Sequence, residues 1–223
     1  MDAAFWLERW NKKQIGFHQQ DFNSYLQTYW STLQVPESAA VFVPMCGKSR
    51  DMQWLRERGH RVIGVELARV AVQEFFEEQA LTPHVERVGS LERWEAPGYT
   101  LWCGDLFEMT ASLLEGVAAV FDRASLIALP PHMREDYVRH MTAIVPAAAA
   151  TLLIALTYSQ QEMKGPPFSV NEFEIRRLYA GYRVEKLADV DILWQSENAR
   201  FRERGLTAMS EQVYRVTRDA AAL

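Results

Sequence analysis

Gly47 and Glu66 are the residues of this chain whose types and spacing first suggest ligand chemistry. Gly47 lies in VFVPMCGKSRDMQWL, residues 41–55, and Glu66 closes GHRVIGVE, 19 residues after that glycine. The pattern is an apolar strand, a turn with one glycine, a helix, a second apolar strand and a carboxylate at its end. This is the front half of a nucleotide-binding βαβ unit, in which an acid at about this distance holds a ribose. A carboxylate accepts hydrogen bonds from both ribose hydroxyls, each worth about 1.5–3 kcal/mol. A solvated acid at a strand end is the plainer alternative.

Gly47 alone also fits a simple turn. The three spaced glycines of the dinucleotide fingerprint are absent. The segment GKS at 47–49 imitates the end of a phosphate-binding loop, but Phe42 stands where that loop needs its first glycine. Phosphate cradling is therefore disfavoured. One glycine, no phosphate fingerprint and a ribose carboxylate together favour a nucleoside cofactor without phosphates, of which S-adenosylmethionine is the common one.

Later strand ends add candidates. Asp105 and Leu106, in CGDLF, would flank an adenine, the polar group meeting its amine and the apolar group its face. Asp105 serves equally well as a helix cap. Asp122 and Arg123, in FDRA, form either a salt-bridged turn or an arginine aimed into the crevice. Phe5, Trp6, Trp10 and Phe17 all precede position 18, in a chain with 7 tryptophans among 223 residues. They suit a helix face packed on the core, or a lid over a flat ligand. The segment PPF at 166–168 is a rigid loop, either a connector or the wall of a substrate pocket.

The elements that must position these residues follow from punctuation and periodicity. Helical spacing of Phe5, Trp6 and Trp10 predicts an N-terminal helix, and a second helix covers 24–33, ending before Pro36. Strands are expected at 40–43, 61–65, 99–103, 117–121 and 151–156, with a closing antiparallel pair at 183–187 and 212–217. Helices are expected at 51–58, 69–79, 131–145 and 171–179, the last capped by Asn171. Regular alternation of this kind implies a mainly parallel sheet with helices on both faces. Ligands bind such sheets outside the carboxyl ends of the strands, where 44–48, 66–68, 104–107 and 122–125 all fall.

Bulk properties agree with one domain. The chain is 48% hydrophobic and 24% charged, ordinary values for a globular protein. A net charge of −5 and a pI near 5.6 argue against a nucleic-acid partner. Cys46 and Cys103 are the only cysteines, which fits a reducing, cytoplasmic location. The five histidines show no metal-ligand spacing. The N-terminal residues do not read as a signal peptide, and the apolar stretch 143–156 contains Pro146 and is too short to span a bilayer. No heptad pattern demands a partner, so a monomer is expected.

Taken together, FWLERW, IGFHQ, VPMCGKSRDMQWL, GHRVIGVELA, QEFFEEQ, LWCGDLFE, FDRASLIALP, GPPFSV and EIRRLY give the chain a specific likeness. Over nearly its whole length it resembles the thiopurine S-methyltransferase family, in a bacterial-type form. That resemblance implies a class I methyltransferase fold: a seven-stranded, mostly parallel Rossmann-like sheet with an antiparallel last strand, flanked by helices. It implies a single domain over 1–223, with residues 1–35 as a helical lid. S-adenosylmethionine would be the cofactor. Trp10 and Phe17 would cover it, Met45 would meet its methionine part and Glu66 its ribose. Asp105 and Leu106 would lie beside the adenine. Arg123 would reach both cofactor and substrate. Arg200, in ENARFRERG, matches a second substrate-facing arginine. Met45 and Asp105 differ in type from the animal members, so the detail of their contacts need not transfer.

The implied reaction is direct methyl transfer to the sulfur of a thiopurine or another heteroaromatic thiol. Such a thiol is already acidic and the sulfonium is an activated donor, so alignment matters more than a general base. Arg123 and Arg200 would favour the thiolate electrostatically. A selenium or tellurium acceptor is the alternative within this class. A nicotinamide-dependent oxidoreductase is the alternative outside it, opposed by the missing glycine fingerprint.

Overall fold

The segment AVFV (Ala40–Val43) forms β1, and all four of its residues are buried. Its side chains alternate: Ala40 and Phe42 enter one core cluster, Val41 and Val43 the other. This period of two places β1 in the middle of a sheet covered on both faces. The architecture comes from a computed structural model, which describes residues 3–15 and 18–218.

In chain order the helices are α1 (Ala3–Asn11), α2 (Ser24–Tyr29), α3 (Asp51–Glu57), α4 (Arg69–Glu78), α5 (Pro131–Ile144), α6 (Glu172–Leu178) and α7 (Ala199–Glu203). The remaining strands are β2 (Arg61–Glu66), β3 (His84–Val88), β4 (Leu91–Ala96), β5 (Tyr99–Cys103), β6 (Val117–Arg123), β7 (Ala150–Thr157), β8 (Tyr182–Asp191) and β9 (Ser210–Arg218). They make a 9-stranded sheet in the order β3-β4-β5-β2-β1-β6-β7-β9-β8. The expected seven strands are the run from β5 to β8, and the last strand, β9, is antiparallel to both of its neighbours.

The hairpin β3–β4 was not foreseen and extends the sheet beyond β5 in antiparallel pairing. All five residues of β3, HVERV, are exposed, and charge interrupts their apolar pattern. A charged edge strand of this type blocks further pairing but reads in sequence as a solvated loop. The helix expected over 24–33 also divides. Its α-helical part ends at Tyr29, and Trp30–Leu33 forms a tighter 3-10 turn. Asn23 starts α2 by accepting from the N–H groups of Tyr25 and Leu26 at 3.1 and 3.0 Å.

One face of the sheet carries α5 and α6, through Tyr137, Val138, Met141 and Ile175. The other carries α2, α3 and α4, through Leu26, Met52, Leu55, Val72 and Phe75. Full burial of a side chain of this size contributes about 1.5–3 kcal/mol. These two layers hold the carboxyl ends of β1, β2, β5 and β6 side by side at one edge.

Candidate active site

The turn after β1 is narrow and bent. Met45 and Gly47 both take left-handed backbone, at φ 46° and 53°. A non-glycine residue there costs on the order of 1 kcal/mol, and such conformations concentrate at functional sites. The turn is tied to β2 by the Cys46 N–H, which donates to the Val65 carbonyl at 2.9 Å. Gly64, in the middle of β2, makes room for it: a Cβ there would stand 2.8 Å from Cys46 Sγ and 2.7 Å from Leu101 Cδ2. Cys46 is buried, and that burial pushes its thiol well above the usual range and disfavours the thiolate.

Glu66 closes β2 and is only 7% exposed. Its Oε2 accepts from the Gly47 N–H and its Oε1 from the Ala68 N–H, both at 2.8 Å. Among the described residues no cation pairs with this carboxylate. Burial raises its pKa, and the backbone N–H groups of Ala68, Gly47 and Leu67 oppose that shift. Each oxygen keeps a further lone pair. A buried carboxylate held by amides alone fits a ligand that brings hydroxyl donors, as a ribose does.

Trp10, on α1, packs against Ala68 and Ala71 and is 5% exposed. Its ring closes over Gly47, where a Cβ would meet Trp10 Cζ2 at 3.0 Å and Glu66 Oε2 at 4.0 Å. Trp10, Gly47 and Glu66 are therefore one cluster. Phe17 lies outside the described residues. Lys48, the lysine of the false phosphate-loop motif, turns away to pair with Glu74 and Glu78 on α4, at 2.8 and 2.6 Å. That pairing agrees with the reading against phosphate binding.

Arg123 ends β6 next to this turn. Its Nε donates to Asp51 Oδ2 at 2.9 Å and its Nη2 to Ser49 Oγ at 3.3 Å. The pairing is thus with Asp51, across 72 residues, and not with neighbouring Asp122. Asp122 points into the core, where its Oδ2 accepts from the Tyr137 hydroxyl at 2.7 Å. Burial pushes the Asp122 pKa up to about 6, against the lowering effect of that hydroxyl. Ala124 follows in left-handed backbone at φ 67°, and Ser125 Oγ donates to the Pro44 carbonyl at 3.2 Å, joining the turns after β6 and β1.

The strand β5 delivers Asp105 and Leu106 beside Glu66, since Cys103 pairs with Glu66 and the Gly104 N–H donates to the Glu66 carbonyl at 2.9 Å. Asp105 is exposed, and its carboxylate accepts from the Phe107 N–H at 3.0 Å, capping a short 3-10 turn. Leu106 is buried in the core, with its carbonyl against the His140 ring at 3.0 Å. Arg200 is not brought to Arg123 by any described contact. It is exposed on α7, its guanidinium 4.8 Å from the Phe201 ring centre. The 166–168 loop is fastened to the ends of β6 and β7. The Phe168 N–H donates to the Ile127 carbonyl at 2.7 Å and the Tyr158 hydroxyl to the Pro167 carbonyl at 2.5 Å.

Four further residues of this region escaped the sequence reading: Ser49, Asp51, His18 and Glu211. Burial lowers the His18 pKa, helped by the charge of Lys48. Burial raises that of Glu211, while Arg123 and a hydrogen bond from Tyr25 oppose the rise. They come from three separate parts of the chain, so no single local motif signals all four. Only the run GKSRD, with a hydroxyl just before a helix and an acid at its first position, carried a hint for Ser49 and Asp51.

Comparison with known proteins bears on the family and the fold. The thiopurine S-methyltransferase (TPMT) family matches residues 1–219. The thiopurine S-methyltransferase of Pseudomonas fluorescens is 46% identical over 217 residues, covering 97% of this chain and 99% of that protein. That of Bordetella petrii is 46% identical over 219 residues, covering 98% and 99%. Among solved structures, a SAM-dependent methyltransferase from Anabaena variabilis superposes with a TM-score of 0.65 at 13% identity, covering 97% of this chain and 95% of that one. At that identity the likeness speaks for the fold alone. The family match and the relatives span the whole of the described site, and the chain belongs to the thiopurine S-methyltransferase family.

Proposed function

We propose that the crevice at the carboxyl ends of β1, β2, β5 and β6 holds S-adenosylmethionine, with Glu66 on its ribose. The enzyme is an S-adenosylmethionine-dependent methyltransferase acting on the sulfur of a small thiol, as its family membership states. When bound, the cofactor supplies a methyl group on a positively charged sulfur. The observation that carries the site reading is the buried Glu66 carboxylate, which among the described residues accepts from backbone N–H groups and pairs with no cation.

In this reading Met45 lies along the methionine part of the cofactor, and Asp105 and Leu106 lie beside the adenine. Trp10 covers the ribose side, as the inner face of a lid made by residues 1–35, with Phe17 as a second cover. Arg123 presents its guanidinium to the acceptor. A thiol entering beside it ionises more readily, because a fixed cation stabilises the thiolate. Arg200 is the second acceptor-side arginine, and the loop at 166–168 walls the pocket. Thiopurines and other heteroaromatic thiols are the acceptors this arrangement suits best.

Among the described residues no helix is long and apolar enough to cross a membrane. The two buried free cysteines suit a reducing compartment, and with them we place the protein in the cytoplasm as a monomer. Equilibrium binding of S-adenosylhomocysteine and of NADH, measured side by side by calorimetry, tests the site reading. Binding of the first without the second is expected. NADH binding with no S-adenosylhomocysteine binding would overturn it.

A further inference from the structure

Asp51 is 1% exposed at the first position of α3, and three groups converge on its carboxylate. Its Oδ2 accepts from Arg123 Nε at 2.9 Å and from Ser49 Oγ at 3.0 Å. Its Oδ1 accepts from the Asn23 N–H at 2.7 Å, just before α2. Its own N–H donates to Ser49 Oγ at 3.2 Å, and that same hydroxyl oxygen accepts from Arg123 Nη2 at 3.3 Å. An acid in the first turn of a helix needs no such partners to interact with the helix dipole.

The consequence lies in how the guanidinium is used. Arginine presents five N–H groups in a rigid plane. Asp51 and Ser49 take the edge formed by Nε and Nη2. Among the described residues, Nη1 has no acceptor, so the outer end of the plane is left for a ligand. A flexible arginine at a strand end would otherwise sample many rotamers, and fixing it removes that entropy before the acceptor arrives.

We propose that Asp51 is a positioning residue for methyl transfer, holding Arg123 by its inner edge so that Nη1 faces the acceptor sulfur, with Ser49 as its helper. The inference rests on the reading of Arg123 as the acceptor-side cation. It also makes one carboxylate the joint between the acceptor side and the N-terminal segment, through the Asn23 N–H.

A double-mutant cycle tests it. The values of kcat and KM for an aryl thiol are measured in wild type, Asp51→Asn, Arg123→Ala and the double variant, with S-adenosylhomocysteine binding as the check of folding. Loss of a charged hydrogen bond that orients Arg123 should lower kcat about tenfold or more in Asp51→Asn, while changing it less than about twofold when Arg123 is already alanine. If Asp51→Asn fails to bind S-adenosylhomocysteine, Ser49→Ala takes its place in the cycle, since it removes the Nη2 contact and the hydroxyl's bonds to Asp51 while leaving the Asp51–Arg123 Nε pair. An equal loss of kcat in both backgrounds would overturn the inference while leaving the role of Arg123 standing. An unchanged kcat in Arg123→Ala would overturn the reading of Arg123 itself.

Discussion

The Gly47 N–H donates to Glu66 Oε2 at 2.8 Å across 19 residues, locking together the carboxyl ends of the two central strands. The same carboxylate that shapes the turn is thus available to a ligand lying over it. Glu66→Ala removes both roles. Affinity for S-adenosylhomocysteine should fall tens-fold or more, on the order of 2–3 kcal/mol. Calorimetry checks this, and near-native affinity would remove Glu66 from the site.

Gly47→Ala meets two obstacles. The backbone stands at φ +53°, and the new Cβ would lie 3.0 Å from Trp10 Cζ2. The variant should lose about 1–2 kcal/mol of stability from the left-handed conformation and bind cofactor more weakly. Adding Trp10→Ala relieves the contact but not the backbone strain. By chemical denaturation, Gly47→Ala should therefore cost less in a Trp10→Ala background than in wild type, yet still cost stability there.

Removing the Arg123 guanidinium should alter the pH dependence of catalysis. A cation beside the bound acceptor favours its thiolate, so Arg123→Ala should lower kcat and move the acid limb of kcat to higher pH. The variant also strands the Asp51 carboxylate, which is 1% exposed in its pair with Arg123. Breaking such a pair costs on the order of 3 kcal/mol of stability. An acid limb that stays in place, measured with a thiol of known pKa, would exclude the electrostatic role.

Asp122 should leave a mark on stability. Burial raises its folded-state pKa to about 6, above the ordinary aspartate value of about 4. Between those values the folded protein binds more protons than the unfolded chain, so this group's contribution to stability falls as pH rises from about 4 to about 6. The full change is on the order of 3 kcal/mol. Asp122→Asn keeps an oxygen for the Tyr137 hydroxyl and removes the charge. Urea unfolding should show the variant gaining on wild type across that pH window, whereas parallel curves would refute the assignment.

Much of this was legible in the chain because the central strands are continuous apolar runs ended by turn residues. The spans expected for β1 and β5, 40–43 and 99–103, are the ones observed. The β3–β4 hairpin was not legible, since an exposed strand with charges lacks the apolar alternation that marks a buried face. Glu66 stood out as an acid where packing needs none. Asp51 did not, because an acid in a helix's first turn has an ordinary explanation, and its partner is 72 residues away. Asp105 takes the capping role its spacing allowed, its carboxylate accepting from the Phe107 N–H at the start of a 3-10 turn. Arg200 rests on likeness alone: no described contact joins it to Arg123, and its guanidinium lies 4.8 Å from the Phe201 ring centre.

Transfer of a labelled methyl group is the most direct measurement. The wild-type enzyme would be incubated with methyl-labelled S-adenosylmethionine and a panel of thiopurines, aryl thiols, selenite and tellurite, and the products separated. Label on the sulfur of the thiopurines and aryl thiols is expected, with transfer to them abolished or strongly reduced in Glu66→Ala. Label that reaches no thiol, or transfer that is indifferent to Glu66, would contradict the site and the reaction assigned to it.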